Sequence, residues 1–158
     1  MMAKQRKAFS MITAIFVIVL MATVAVFIMN LSGKIVKETT TQFQREQAML
    51  LAKSYTEYAV MAVMANDRNT TGVNCLYTIK GDIGSSPSAG NGYRARVHLG
   101  YIGNTQEVGS CGGRILSQGV TTEKSPLTVM IDVYIDYKDP DNTNGEWRTF
   151  HERTLQKI

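Results

Sequence analysis

Apolar residues are concentrated in one unbroken run near the start of the chain. Between Ala8 and Gly33 no residue is charged, and nearly every position is Ile, Val, Met, Phe, Leu or Ala. About 20 such residues span a bilayer as a helix, whereas the apolar part of a secretory signal is only about 7–15 residues long. The pattern therefore predicts a transmembrane helix over residues 9–33, behind a basic leader over residues 1–8.

The helical pattern continues past Gly33 without a further Gly or Pro. Apolar and small residues recur there at helical spacing, at Ile35, Val36, Phe43, Leu50, Leu51, Tyr55, Tyr58, Ala62 and Ala65. We predict one helix from about Phe9 to Asn66, in which residues 34–66 form an amphipathic continuation. At about 1.5 Å per residue, this helix is far longer than a bilayer requires.

Residues 67–158 change to the period-two alternation that is typical of strands. The helix is expected to stop by Gly72, and strands are predicted over residues 73–80, 93–101, 127–137 and 146–155, with a flexible Gly/Ser-rich loop over residues 81–92. Half-buried strands need a cover for their apolar face, and the stretch from Phe43 to Ala65 is the one available. The sequence therefore predicts an α+β fold, a long helix on a small antiparallel sheet.

The strand over residues 127–137 has the clearest pattern. Its odd positions are all apolar, which predicts a continuous core face, and its two aspartates, Asp132 and Asp136, are predicted to point outward. The chain then turns over residues 138–145 and returns. Either aspartate is expected to meet Arg148 or Arg153 across this hairpin.

The net charge of +4 is concentrated in the leader and the first helix. A basic tip ahead of an apolar run predicts a cytoplasmic N-terminus. No clustered Lys/Arg face with interleaved aromatics is present, so no contact with nucleic acid is predicted. The two cysteines, Cys75 and Cys111, lie beyond the apolar run. An oxidising compartment would pair them, and two free buried thiols are the alternative.

The chain shows no recognisable catalytic pattern. His98 and His151 fall on predicted strands at polar or mixed positions, which is typical of surface histidines. No nucleophile elbow, zinc motif or phosphate loop occurs, so we predict no enzyme, no cofactor and no metal. The oxygen-rich stretch with Asp139, Asp141 and Asn144 is a weak calcium candidate, because it departs from the helix-loop-helix calcium template.

The start of the chain resembles the type IV pilin and type II secretion pseudopilin family. The residues that carry the resemblance are K4-Q-R-K7, then Ala8, then F9-S-M-I-T-A-I-F-V-I-V-L20, followed by the long helix. The resemblance implies cleavage between Ala8 and Phe9 by a membrane prepilin peptidase, and N-methylation of Phe9. It covers the first third of the chain closely, and the remainder only in architecture.

Two positions depart from the family pattern. Ala8 stands where Gly is usual, and Thr13 stands where the family nearly always has a Glu that neutralises the N-terminal amine of a neighbouring subunit. An unpaired charge among packed apolar helices costs several kcal/mol. A subunit with Thr13 resembles minor members at a filament tip, beyond which no amine needs a partner charge.

The sequence interpretation is a structural minor pilin or pseudopilin, made in a bacterial inner membrane with its sheet domain in the periplasm. The implied partners are other pilins or pseudopilins, the prepilin peptidase, the inner-membrane assembly platform and the membrane itself. The alternative is an uncleaved, signal-anchored periplasmic binding or sensor domain. The residues do not indicate which filament system is served, whether adhesion, DNA uptake, motility or secretion.

Overall fold

The computed structural model describes residues 5–66, 75–120, 127–140, 142 and 144–158, with side chains from Met11 onward. The chain divides into two compact units, Met1–Phe43 and Gln44–Ile158. Helix α1 (Gln5–Ala65) supplies the described part of the first unit and the opening of the second. The predicted helix is confirmed, and the predicted stop at Gly72 lies outside the described residues.

The second unit adds a five-stranded sheet to the last part of α1. Its elements are β1 (Thr78–Ser86), a 3-10 turn (Pro87–Ala89), β2 (Asn91–Gly103), the short helix α2 (Thr105–Val108), a second 3-10 turn (Gly109–Arg114), β3 (Ile115–Ser117), β4 (Leu127–Tyr137) and β5 (Arg148–Lys157). The spatial order is β1-β2-β4-β5 with antiparallel pairs, and β3 pairs with β2 in parallel. The fold is therefore α+β.

The core lies between the inner face of this sheet and the end of α1. Alternate side chains of β2 and β4 point inward, as the period-two pattern predicts. They are Ala95, Val97, Leu99 and Tyr101 from β2, and Leu127, Val129, Ile131, Val133, Ile135 and Tyr137 from β4. The predicted apolar face of residues 127–137 is confirmed in full.

The helix covers the sheet with small residues, which the sequence interpretation did not anticipate. Its fully buried positions are Ala48, Ala52, Ala59 and Val63. Bulky Leu50 and Tyr58, which the helical pattern had placed in the apolar stripe, point to the exterior instead. Small side chains let the helix backbone approach the strands closely, so alanines occupy the interface between helix and sheet.

The prediction of a flexible loop over residues 81–92 is wrong, because β1 runs through Gly81 to Ser86 and β2 already begins at Asn91. Two glycines of this stretch, Gly81 and Gly92, lie where neighbouring groups approach the backbone closely. The ring of Tyr55 lies on Gly81, where a Cβ would overlap its hydroxyl. Gly92, with φ +141°, approaches the carbonyl oxygen of Ile83 where no side chain would fit. Residues 75–77, part of another predicted strand, are not in one.

Candidate functional site: the exposed apolar surface of helix α1

The first unit presents an apolar helical surface. Its large side chains from Met11 to Leu31 are between 44% and 78% exposed in the isolated chain. Within the described residues, α1 is the helix that is long and apolar enough to cross a membrane. Exposure of such a surface to water is energetically unfavourable, whereas contact with lipid or with other apolar helices would cover it.

The residues that the resemblance singled out lie at the start of this helix. Ala8 and Phe9 belong to α1 by their backbone, but their side chains lie outside the described part of the chain. Thr13 is an exposed position of α1. The predicted cleavage site and the predicted assembly position therefore lie on one helix.

Exposed apolar side chains continue along α1 well beyond the length that a bilayer needs. They are Ile35, Val36, Phe43, Leu50, Tyr58, Met61 and Met64. In the second unit, Leu50, Met61 and Met64 lie on the side of the helix opposite the buried alanines, and Tyr58 lies on its flank beside Ile79 of β1. We call these four helix residues the outer helix stripe. A helix that is apolar on both sides normally has a partner on both, and here the sheet covers one side.

The two cysteines form a disulfide. The bond joins Cys75, just before β1, to Cys111 in the second 3-10 turn, and it encloses a loop with a sequence separation of 36. Both residues are buried in the core cluster. The bridge therefore fastens the connection between β2 and β3 to the start of the sheet, and the alternative of two free thiols is wrong.

The outer face of the sheet carries a buried ionic network. Asp132 and Asp136 point away from the helix, as predicted, but each is only 6% exposed because neighbouring side chains cover it. Arg153 donates two hydrogen bonds to Asp132, of 2.6 and 3.0 Å, which confirms one predicted cross-hairpin pair. Asp136 instead accepts from Arg96 at 2.9 Å and from Thr149 at 2.7 Å.

The two histidines lie beside this network. The ring of His151 stacks on Tyr134 at 4.4 Å, and its Nε2 lies 3.1 Å from Asp132 Oδ1. The ring of His98 meets the edge of Tyr134 at 5.7 Å. These contacts between side chains of neighbouring strands form a cross-strand cluster. Sequence reasoning missed the role of Tyr134, which lies in register between Arg96 of β2 and His151 of β5.

The hydrogen bonds and charge of Arg153 hold the pKa of Asp132 below its usual range, and the contact with His151 acts in the same direction, against the opposing effect of burial. A carboxyl whose pKa is lower in the folded chain stabilises the fold above its unfolded pKa of about 3.9. That stabilisation is lost as the pH falls through the folded-state pKa.

We expect Asp132→Asn to remove this pH dependence. Above about pH 5 the variant should unfold at a lower denaturant concentration than the parent chain, and the gap should close as the pH falls below about 4. Denaturant unfolding followed through Trp147 at several pH values measures it. Asp82→Asn is the matched control, since Asp82 pairs with Arg94 at an exposed site. A gap that stays constant down to pH 2 would show that Asp132 titrates normally.

The calcium candidate gains no support. Asp139 lies 3.5 Å from Arg148 in an ion pair, Asp141 lies outside the described residues, and Asn144 belongs to a turn. Among the described side chains no group of three His, Cys, Asp or Glu residues has the geometry for a metal ion.

The fold and surfaces define an α+β domain on a helix that is able to cross a membrane. Comparisons of the chain with protein-family models, with curated proteins and with solved structures give no match. The function is therefore argued from the residues and their arrangement alone.

Proposed function

We propose that this chain is a minor structural subunit of a filament of the type IV pilin or type II secretion pseudopilin kind. The observation that carries the proposal is the length of the exposed apolar surface of α1. A membrane anchor needs about 20 apolar residues, but large exposed apolar side chains continue from Ile35 to Met64. A filament built on packed helices uses that additional surface, whereas a simple anchor and stalk does not.

In this proposal the apolar segment first holds the subunit in the bacterial inner membrane, with the basic leader in the cytoplasm and the sheet domain in the periplasm. The disulfide between Cys75 and Cys111 agrees with an oxidising compartment for that domain. Assembly then exchanges lipid contacts for helix contacts. Lipid tails and apolar helices both exclude water from the helix surface. The exchange is therefore favoured by closer packing between helices rather than by the hydrophobic effect.

Thr13 favours a minor rather than a repeating subunit. In the proposed filament a repeating subunit supplies a carboxylate near the amine of its neighbour, and Thr has none. A buried amine without a partner charge is costly. This subunit is therefore placed at a tip or in the priming of assembly, with no subunit beyond it.

The N-terminal residue and intact mass of the membrane-extracted chain test the proposal. In cells with an active prepilin peptidase, we expect a chain that starts at Phe9 and carries one added methyl group. Without the peptidase, the chain should keep residues 1–8. Replacing Ala8 with Gly should preserve or increase cleavage, and Ala8→Trp should block it. A chain that keeps its leader in both strains would instead be a signal-anchored periplasmic domain.

A further inference from the structure

An apolar cluster lies on the outer face of the sheet, away from the helix. Leu116 of β3 lies over Gly100 of β2, where a Cβ would be 2.8 Å from Leu116 Cδ1 and 3.5 Å from Met130 Cε. Met130 of β4 is in turn the register partner of Leu155 of β5. Opposite side chains on one sheet face are neighbours, with Cβ atoms about 4.5–5.5 Å apart. We call Leu116, Gly100, Met130 and Leu155 the outer apolar patch.

The patch crosses four neighbouring strands, with Gly100 buried and Met130 half-buried at its centre. The side chains at its two ends, Leu116 and Leu155, are 51% and 62% exposed. Single exposed leucines are normal on a protein surface, but a contiguous group marks an interaction site more often. The patch is also separate from the outer helix stripe, because the sheet lies between them.

The patch occupies the end of the unit opposite the entry of the chain. At the entry end, Tyr93 donates a hydrogen bond to Gln47, and Gln44 donates one to the carbonyl oxygen of Lys138. Strand β2 runs away from this end toward Gly100. Within the second unit, the patch therefore lies toward the end at which helix α1 stops.

The exposed charge around the patch is basic. Along β5, Arg153 and Lys157 flank Leu155 on the same face, and both are exposed. On the same face, Asp132 is buried and accepts two hydrogen bonds from Arg153, which compensates part of the Arg153 charge and leaves Lys157 as the main contribution to the exposed positive charge. On the described outer-face positions of β2, β4 and β5, no carboxylate is exposed. A partner would therefore meet an apolar centre with a cationic rim.

We propose that the outer apolar patch binds a protein partner that presents an apolar side chain flanked by carboxylates. An apolar anchor in the centre with complementary charges at the rim is the usual anatomy of a protein interface. A nucleic acid would gain nothing from the leucines, and His151 already covers one face of the nearest ring, Tyr134. A two-fold pairing of two copies would set the cationic rims against each other. The inference uses only the second unit and does not depend on leader cleavage.

Site-specific photo-crosslinking in living cells tests the proposal with the full chain. A benzophenone amino acid replaces Leu155, and the same group at Thr149 is the matched control, since Thr149 is an exposed outer-face position at the other end of the same strand. We expect a discrete adduct at Leu155, about fivefold stronger than at Thr149. Mass spectrometry of the adduct should identify a peptide with Asp or Glu beside the crosslinked residue.

Charge reversal supplies the second measurement. Adding Lys157→Glu to the Leu155 crosslinking chain should weaken the adduct about fivefold, whereas Lys157→Arg should preserve it. Lys80→Glu, on the edge strand β1 at the opposite border of the same sheet face, should leave it unchanged. Each variant is first shown to unfold at the denaturant concentration of the parent chain.

Several results would overturn the proposal. They are equal adducts at Leu155 and Thr149, no adduct at either position, an adduct with a peptide that lacks carboxylates, with nucleic acid, with lipid or with a second copy, and an adduct that Lys157→Glu does not weaken. Leader processing is read from the mass of the same purified chain. A failure of the interface and a failure of the filament proposal are therefore distinguished.

Discussion

Replacing both Cys75 and Cys111 with serine is expected to lower the free energy of unfolding by about 4 kcal/mol. The bridge closes a loop with a sequence separation of 36, and in the chain-entropy model such a loop restricts the unfolded chain by about that amount. Domains of this size have only about 5–15 kcal/mol of stability in total. A large part of the margin that keeps the sheet domain folded would therefore be lost.

Denaturant unfolding in detergent, followed through the single tryptophan of the chain, Trp147, measures this effect. The parent chain treated with a reductant is the matched control, because it loses the bridge without a change of side chain. We expect it to fall to the level of the double variant. A difference of less than about 1 kcal/mol between the double variant and the untreated parent would contradict the chain-entropy account.

The two sides of helix α1 should respond oppositely to substitution. Ala52 is fully buried between helix and sheet, so Ala52→Leu adds volume where none is available and should cost about 1–3 kcal/mol of stability. Met61 belongs to the outer helix stripe and is 61% exposed. Met61→Gln keeps a similar length and helix propensity, so it should change stability by less than about 0.5 kcal/mol.

For assembly, the filament proposal predicts that a substitution in the outer helix stripe has a large effect although its effect on stability is small. Met61→Gln places a polar amide on the surface that would pack against neighbouring helices, and we expect it to reduce recovery of the chain in sheared filaments or in crosslinked pseudopilin complexes. Met61→Leu, which stays apolar, should assemble normally. If Met61→Gln assembles as well as the parent, then the outer helix stripe is not the surface that holds the subunit.

The strands with regular alternation were predictable because each carries its own period-two pattern. Residues 127–137 show all their inward positions as apolar, and β4 has those bounds. The stretch of residues 81–92 was not predictable in this way, since Gly and Ser at its positions also suit a loop. Its strands form because β1 pairs with β2, and Tyr55 of α1 packs on Gly81 where a side chain would not fit. No local pattern contains these contacts.

The ion pairs also differ in whether the sequence alone could predict them. Asp132 and Arg153 meet because the hairpin places them opposite each other, and this pair was among the alternatives that the predicted hairpin left open. Asp136 pairs instead with Arg96, which is 40 residues away in sequence and lies on β2, the other neighbour of β4. Strand order had to be known before that partner could be named. The same order collects Leu116, Met130 and Leu155 into one patch from three separate segments.

The sequence by itself determined the long apolar helix, the α+β class, the main strands and the resemblance at residues 4–20. Each of these depends on consecutive residues or on a simple periodic pattern. The tertiary structure alone decided which side of α1 meets the sheet. Alanines allow the closest approach of helix and strands, so the helix buries its small side chains and leaves Leu50, Tyr58, Met61 and Met64 outside. A periodic pattern shows that such a helix has apolar sides, but close packing selects the one that faces the core.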